Sequence, residues 1–323
     1  MILLLTCFIN NDKIQIKFNK EGAFMFTIKS FKKIITFTCA VTMSLSVLSC
    51  ATGAPAPGAS PKKESASLIV NGIANFPNSD ELAGYSLTSE STELFRIRGN
   101  STYYIAQGAC SDGTHVYGIL RNINDTGAVI RKVRLADGGH VATSAVINLG
   151  HGNDMTYDSK NNRLVIAHGI SQGKILTLVN AEDLSFIEDI NIEAGAGAIT
   201  YNEKRDCYAI SQGGKSIHFL DSDFKLIKSL TRTAPAEYVA QGMGSDDKYL
   251  YFPMSNKWTD ERPFLDNIFD VYDWDGNHVA IVHIPVDMES ESMFWVNGKY
   301  YVAYNNSSSM PICETVMKIK VND

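Results

Sequence analysis

Residues 103–114 read YYIAQGACSDGT and residues 237–248 read EYVAQGMGSDDK. Each passes from tyrosine through an aliphatic residue into Ala-Gln-Gly and Ser-Asp, and each leads into a strand-like segment, HVYGIL or YLYFPM. A self-similarity repeating every 40 to 50 residues or so is the mark of propeller blades. Aligned on Gln107 and the turn Ser111-Asp112-Gly113, three more copies emerge: HGNDMTYDSKNNRLVIA from 151, GAGAITYNEKRDCYAI from 195 and SESMFWVNGKYYVAY from 290. The residues matching Gln107 are Asn153, Gly197, Gln241 and Ser292, at spacings of 46, 44, 44 and 51.

Each copy continues alike. An apolar strand such as RLVIA is followed by a partly alternating segment around an Asx-rich turn, ILTLVNAEDLS at 175 or SIHFLDSDFKL at 216, and then by FIEDINI or LIKSLTR. Four short antiparallel strands per copy make a blade. The expected fold is therefore all-β, a five-bladed β-propeller over residues 93–323. The fifth copy ends at VMKIKVND (316–323) with no outermost strand, while ELFRIRG (93–99) precedes the first copy without a blade. Residues 93–99 are expected to pair with VMKIKV and close the last blade, since closure removes exposed strand edges. Residues 68–92 are left as an approach segment. Asp273-Trp274-Asp275-Gly276-Asn277 has the look of a calcium loop but falls where other copies place a hairpin turn, for which Asp-Gly is favoured.

Upstream of the repeats the chain changes character. From Met25 it reads MFTIKSFKKIITFTCAVTMSLSVLSC, a basic opening, an apolar run from Ile34 to Leu48 and then small residues, the order of a secretory signal over 25–49. The apolar run is short for a bilayer, which needs about twenty residues. Residues 1–24 precede a complete signal and are expected to come from an upstream mis-start. Residues 51–67, ATGAPAPGASPKKESAS, cannot bury a core, so 50–67 reads as a disordered tether. With 45% hydrophobic and 20% charged residues and a net charge of −6, the body is globular and mildly acidic, and without a basic block it makes a poor partner for nucleic acid. Cys110, Cys207 and Cys313 lie too far apart for a metal knuckle and are expected to be free thiols.

In a propeller the residues preceding the innermost strands ring one mouth of the axial channel. That column holds Gln107, His151, Asn153, Asp154, Gln241, Glu289 and Glu291, and its third member offers only Gly195, Ala196 and Gly197, a gap open to a ligand. Amides and carboxylates at such positions also serve crowded backbone groups without any ligand. Three chemistries remain open. Glu291 or Asp154 with His151 would serve acid–base catalysis. His151, Asp154 and Glu291 are candidate ligands for a structural or catalytic divalent metal, although no cofactor is expected. Gln107, Asn153, Gln241 and Glu289 with Tyr104, Tyr238 and Trp295 would bind a small molecule, glycan or peptide, or an envelope protein.

Two resemblances bear on this. Val47-Leu48-Ser49-Cys50 resembles the lipobox of bacterial lipoproteins, and the repeats N-D-M-T-Y-D and A-I-T-Y-N-E-K-R-D resemble those of uncharacterised secreted lipoprotein propellers. This implies lipid on Cys50, a palmitate-type membrane anchor and an extracytoplasmic location at the cell envelope. Gln107-Gly108 and Glu289-Ser290-Glu291 are similar to residues of the plant-type glutaminyl cyclases, five-bladed propellers with Gln-Gly and Glu near the channel mouth, although the Asn-Glu-Leu-Glu run of that family is absent. The resemblance implies a cyclase-like acyl transfer, so the alternative to a binding module is an enzyme, a hydrolase, lyase or cyclase-like acyltransferase, using Glu291, Asp154 and His151.

Overall fold

The computed structural model describes residues 4–9, 12–18, 23–30, 33–40, 68–70, 85–169, 173–256 and 266–321, with side chains over 87–169, 173–256 and 266–318. Every regular element among them is a strand. The chain divides into two compact units, Met1–Lys62 and Lys63–Asp323. In the first, Leu4–Ile9, Asp12–Phe18, Ala23–Ser30 and Lys33–Ala40 form a four-stranded antiparallel meander in chain order. Segments such as KIITFTCA are rich in β-branched and aromatic residues, which suit a pleated surface. The tether and Cys50 lie outside the described residues, as does the end of the expected signal.

The second unit is a β-propeller. Its first sheet runs Ile105–Ser111, His115–Arg121, Ala128–Arg134 and His140–Thr143. The second runs Asp154–Asp158, Arg163–Ala167, Ile175–Asn180 and Phe186–Asn191, and the third Ala198–Asn202, Cys207–Ser211, Ser216–Asp221 and Leu226–Thr231. Each is a separate four-stranded antiparallel sheet in chain order. The remaining strands join one ten-stranded sheet. In one half, Tyr238–Ala240 and Gly244–Ser245 lie against Tyr249–Asn256, followed by Asn267–Asp273 and His278–Ile284. The other half orders Glu289–Val296, Lys299–Asn305, Ser309–Val321 and Tyr85–Arg98, and parallel pairs Val282↔Leu87 and His283↔Thr88 link the halves.

Turn chemistry explains why the strands end where they do. Asp112 Oδ1 accepts from the Thr114 and His115 amides at 2.7 and 2.6 Å, and Gly113 takes the left-handed conformation at φ +91°. Asp246 does the same for Lys248 and Tyr249, while Asp158 and Asn202 hold Asn161 and Arg205. Short polar side chains thus replace the backbone partners a tight turn forfeits. The stretch Asp273–Asn277 is such a turn, with Asp273 occupied by the Asp275 and Asn277 amides and by Asn277 Nδ2.

Between successive sheets sit apolar layers. Tyr117, Ile119 and Ile130 meet Met155, Leu164 and Ile166, and Leu176 and Leu178 meet Ile199, Tyr208 and Ile210. The last layer brings Phe294, Tyr301, Met310 and Ile312 against Ala106, Val116, Leu120 and Val129 of the first sheet, so the last strands of the second unit pack on its first sheet. Middle strands are buried on both faces, which is why they read as continuous apolar runs rather than as alternation.

The strand expected at 93–99 differs in length and register. It spans Tyr85–Arg98, and residues 93–98 face Ser309–Cys313, whereas VMKIKV faces 85–90. The preceding hairpin sets this: Lys299–Asn305 turns tightly into Ser309, so the next strand already begins at 309, runs to Val321 and takes a long partner. Residues 85–92, expected to be approach, are thus strand, and Leu68–Val70 pairs with Met317–Ile319.

Candidate functional site

Inner strands from different sheets meet around one carboxylate. Asp154 is fully buried; its Oδ2 accepts from the Ile199 and Met243 amides at 3.0 and 2.8 Å, and its Oδ1 lies 2.7 Å from Ser292 Oγ. Its Cα lies 2.4 Å from where a Cβ on Gly108 would stand. A Cβ on Gly242 would meet the Glu291 carbonyl oxygen at 2.4 Å and the Asp154 carboxylate at 3.2 Å. The glycine in both Ala-Gln-Gly copies is therefore required by close approach at the axis. Burial pushes the Asp154 carboxyl up to about 8 against these hydrogen bonds.

A neutral Asp154 resolves a conflict in the hydrogen bonds. Ser292 Oγ lies within reach of both Ala109 O, at 3.0 Å, and Asp154 Oδ1, but has one proton to give. With Asp154 protonated, Oδ1–H donates to Ser292 Oγ, which donates to Ala109 O. Expected as a general base, Asp154 is instead closed off by protein partners, and it lines no cavity described here.

Toward the mouth the other expected residues come together with two that sequence reasoning missed. Gln241 Nε2 donates to Glu289 Oε1 at 2.6 Å, and Asn153 Nδ2 donates to the carbonyls of Gln241 and Gly197 at 2.5 and 2.6 Å. Glu291 is buried and pushed well above the usual carboxylate range, first by desolvation and then by the Glu289 charge, with Asn305 and Arg121 opposing. Arg121 Nη1 also pairs with Asp125 at 2.7 Å, and Asp125 reaches His151 Nδ1 at 3.2 Å. His151 is thus partnered by Asp125 rather than by Glu291 or Asp154. Arg121 and Asp125 sit in and just after the second strand of the first sheet, outside the aligned column, so the repeat carried no signal for them. Gln107 is buried, and its Nε2 turns back to Ala106 O at 2.6 Å. Gln107-Gly108 and Glu291 both fall at β-bulges, between Ala106 and Ala109 and between Ser290 and Ser292. Such bulges re-aim side chains near sites.

Beside this network opens a cavity of about 730 Å³. His151, Asn153 and Gln241 border it, together with Gly197, Gly213 and Gly214, while Arg232, Phe252 and Met254 line it and Pro235, Tyr238 and Val239 contribute apolar surface. Gly197, the side-chain gap of the third repeat, is among the residues that line it. Arg232 is buried, pairs with Asp270 at 2.6 Å and lies 3.8 Å over the Phe252 ring.

The aromatic residues divide between two cavities. Tyr238 borders the cavity, but Trp295 lies in a separate cup of about 260 Å³ with Tyr157 and Tyr201. Glu289–Val296 crosses the sheet, so its two ends stand about 20 Å apart. Tyr104 borders neither cavity. Among the described residues no three His, Cys, Asp or Glu side chains converge to hold a metal, so His151, Asp154 and Glu291 do not form a metal set. Cys110 and Cys313 are buried free thiols and Cys207 a half-buried one.

No protein-family model matches the chain, and no curated protein sequence does so significantly. Among solved structures it is similar to the glutaminyl cyclase of Myxococcus xanthus, at 12% identity and TM-score 0.51 over 74% of this chain and 100% of that one. The β-propeller domain of Cps50 (Swd1) from Myceliophteria thermophila shares 9% identity at TM-score 0.40, over 69% of this chain and 99% of that one. The RRP9 WD40 repeats share 8% identity at TM-score 0.42, over 72% and 100%. At these identities the likeness concerns fold alone.

Proposed function

We propose that this protein is an exported, lipid-anchored binding module, and that its ligand sits in the cavity beside His151, Asn153 and Gln241. The carrying observation is the cavity itself: about 730 Å³, beside the axial mouth, combining amides and basic side chains with the apolar surface of Pro235, Tyr238 and Val239. The scaffold in this reading is five-bladed. The repeated four-strand order, the packing of the last strands on the first sheet and the pairing of Tyr85–Arg98 with Ser309–Val321 support that count and a ring closed by both ends of the domain. The lipobox-like Val47-Leu48-Ser49-Cys50 supports a lipid on Cys50 and an extracytoplasmic place at the envelope. A small molecule, a glycan or peptide end, or a loop of an envelope protein are the ligand classes a site of this size admits, and no metal is required.

The test is calorimetry of the full chain against sugars and short peptides, beside Ala236→Trp, which fills the cavity from an exposed position. Binding that survives Ala236→Trp unchanged would place the site elsewhere.

A second reading is favoured by one specific feature. Glu289 and Glu291 are neighbouring carboxyls, one buried and raised well above the usual carboxylate range by desolvation, beside Gln241, in a fold that a glutaminyl cyclase shares. An acid–base pair of this kind suits acyl transfer. Ammonia release from a peptide with N-terminal glutamine, lost in Glu291→Gln, is the outcome this reading requires; no release rejects it.

A further inference from the structure

The cup that holds Trp295 stands where the inner strands end. Five strands each bring it their last residue or the one before: Ser111, Tyr157, Tyr201, Ser245 and Trp295. The same five also border an adjoining recess of about 80 Å³, whose wall continues with Met155, Met243, Met293 and Phe294. The three rings are open to a ligand, since Trp295 is 36% exposed and Tyr157 and Tyr201 are half-buried. Each tyrosine is also braced by another: Tyr157 stacks on Tyr117 with ring centroids 6.4 Å apart, and Tyr201 leans on Tyr208 at 4.9 Å.

Charge on this lining has one sign. Asp112, Glu203, Asp246 and Asp247 border the cup, and among the described residues no Lys, Arg or His does. Burial raises Asp246, and Lys204 answers Asp247, so the charge beside the rings is mainly that of Asp112 and Glu203. Burial opposes the ionised form of Asp112, but hydrogen bonds from His115, Tyr117 and Thr114 hold its carboxyl below the usual range. Burial and nearby carboxylates, Glu203 among them, raise the Tyr157 and Tyr201 hydroxyls, so both rings stay neutral. The protein's own cations are engaged elsewhere, Lys160 with Asp206 and Arg205 over the Trp274 ring at 5.6 Å.

The polar groups of the wall are already spent. Ser111 Oγ donates to His115 O at 2.6 Å, Thr200 Oγ1 and Ser245 Oγ share a hydrogen at 2.7 Å, and Thr156 Oγ1 accepts from Tyr201 N. Tyr157 donates to Asn162 and Tyr201 to Asp206, while both Asp112 oxygens serve their own turn. What the cup has left to offer is aromatic surface, thioethers and a negative field. A primary ammonium would bring three N–H donors to acceptors already taken. A quaternary ammonium brings charge wrapped in methyl groups and needs no hydrogen bond, and aromatic faces attract such a charge.

We infer that this cup is a second binding site, for a quaternary ammonium group held among Trp295, Tyr157 and Tyr201, its methyls toward the recess and its charge in the field of Asp112 and Glu203. The inference does not depend on the proposed use of the cavity beside His151.

The experiment is isothermal titration of the full chain with choline, ethanolamine and 3,3-dimethylbutan-1-ol, the last having choline's shape without its charge. Choline binds at least about tenfold tighter than the alcohol, the worth of a partly desolvated cation over aromatic rings, and tighter than ethanolamine. Trp295→Leu, which keeps apolar bulk and removes the ring, weakens choline about tenfold. Glu203→Gln, at an exposed position, weakens it about threefold, more at low salt. Ala236→Trp, which fills the other cavity, leaves choline binding unchanged. Vesicles of phosphatidylcholine, sedimented with the Cys50→Ser full chain, tell a lipid headgroup from a free solute: co-sedimentation lost in Trp295→Leu assigns the headgroup, and its absence beside choline binding assigns the solute. Equal binding of choline and the alcohol, or ethanolamine binding the tighter, overturns the inference. So does choline binding that is indifferent to both Trp295→Leu and Glu203→Gln, or that Ala236→Trp abolishes, or no binding of choline in either form.

Discussion

Replacing Asp154 by asparagine should change how stability depends on pH more than stability itself. In the folded protein burial holds this carboxyl up to about 8, whereas an unfolded chain releases its proton near 3.9. Between those values the folded state binds more protons, so stability falls as pH rises, by as much as about 1.4 kcal/mol per pH unit. From pH 6.5 to 8 the Asp154 share comes to about 2 kcal/mol. Buried Glu291 and Asp246, also raised, act in the same sense. Asp112 and Asp158 are lowered, so their contribution is already complete in this window, and half-buried His218, lowered by burial, acts in the opposite sense below and just above pH 6.5, equally in wild type and variant.

Asp154→Asn keeps the geometry. Its amide oxygen takes the Ile199 and Met243 N–H groups, and its nitrogen donates to Ser292 Oγ in the place of the acid proton. Urea unfolding at pH 6.5 should find it within about 1 kcal/mol of wild type, while Asp154→Ala, which strands two buried amides, loses about 3–5 kcal/mol. By pH 8 the asparagine variant should have overtaken wild type by about 2 kcal/mol. Equal pH slopes in wild type and Asp154→Asn would show that Asp154 is ionised throughout and refute the neutral-hub reasoning.

Gly108→Ala and Gly242→Ala should each cost about 3 kcal/mol in denaturant unfolding, since a new Cβ meets backbone atoms at 2.4 Å; Gly298→Ala, with open space but φ +76°, should cost about 1 kcal/mol. Removing residues 1–98 takes away the strand paired along Ser309–Val321 and should abolish the cooperative thermal transition; an ordinary melt would contradict closure by that strand. Cys50→Ser should move the protein from the detergent phase to the aqueous phase on partitioning of native membranes, and no shift would rule out the anchor.

Much of the fold is legible in the chain because it is written locally. The spacing of 44 to 51 residues, the Asp or Asn closing each inner hairpin and the apolar strands buried on both faces are properties of a single repeat, specified by neighbours a few residues apart. Even the gap at Gly197 shows as a missing side chain in one copy. The mouth column was legible as a set, and Gln241, Glu289, Asn153 and Glu291 do meet. The use made of each member was not. Asp154 looked like a base beside His151, but only the convergence of inner strands shows its oxygens taken by Ile199, Met243 and Ser292, from 45 to 138 residues away. Arg121, Asp125 and Arg232 lie outside the aligned column and reach the site only when sheets stand side by side, and Trp295 leaves it because a strand has two ends. Sequence alone determined the repeat, its turns and its strands, since these depend on short-range backbone chemistry and on apolar patterning. Tertiary structure decided which polar groups are satisfied and by which partners, because that depends on groups brought together only by packing around the axis.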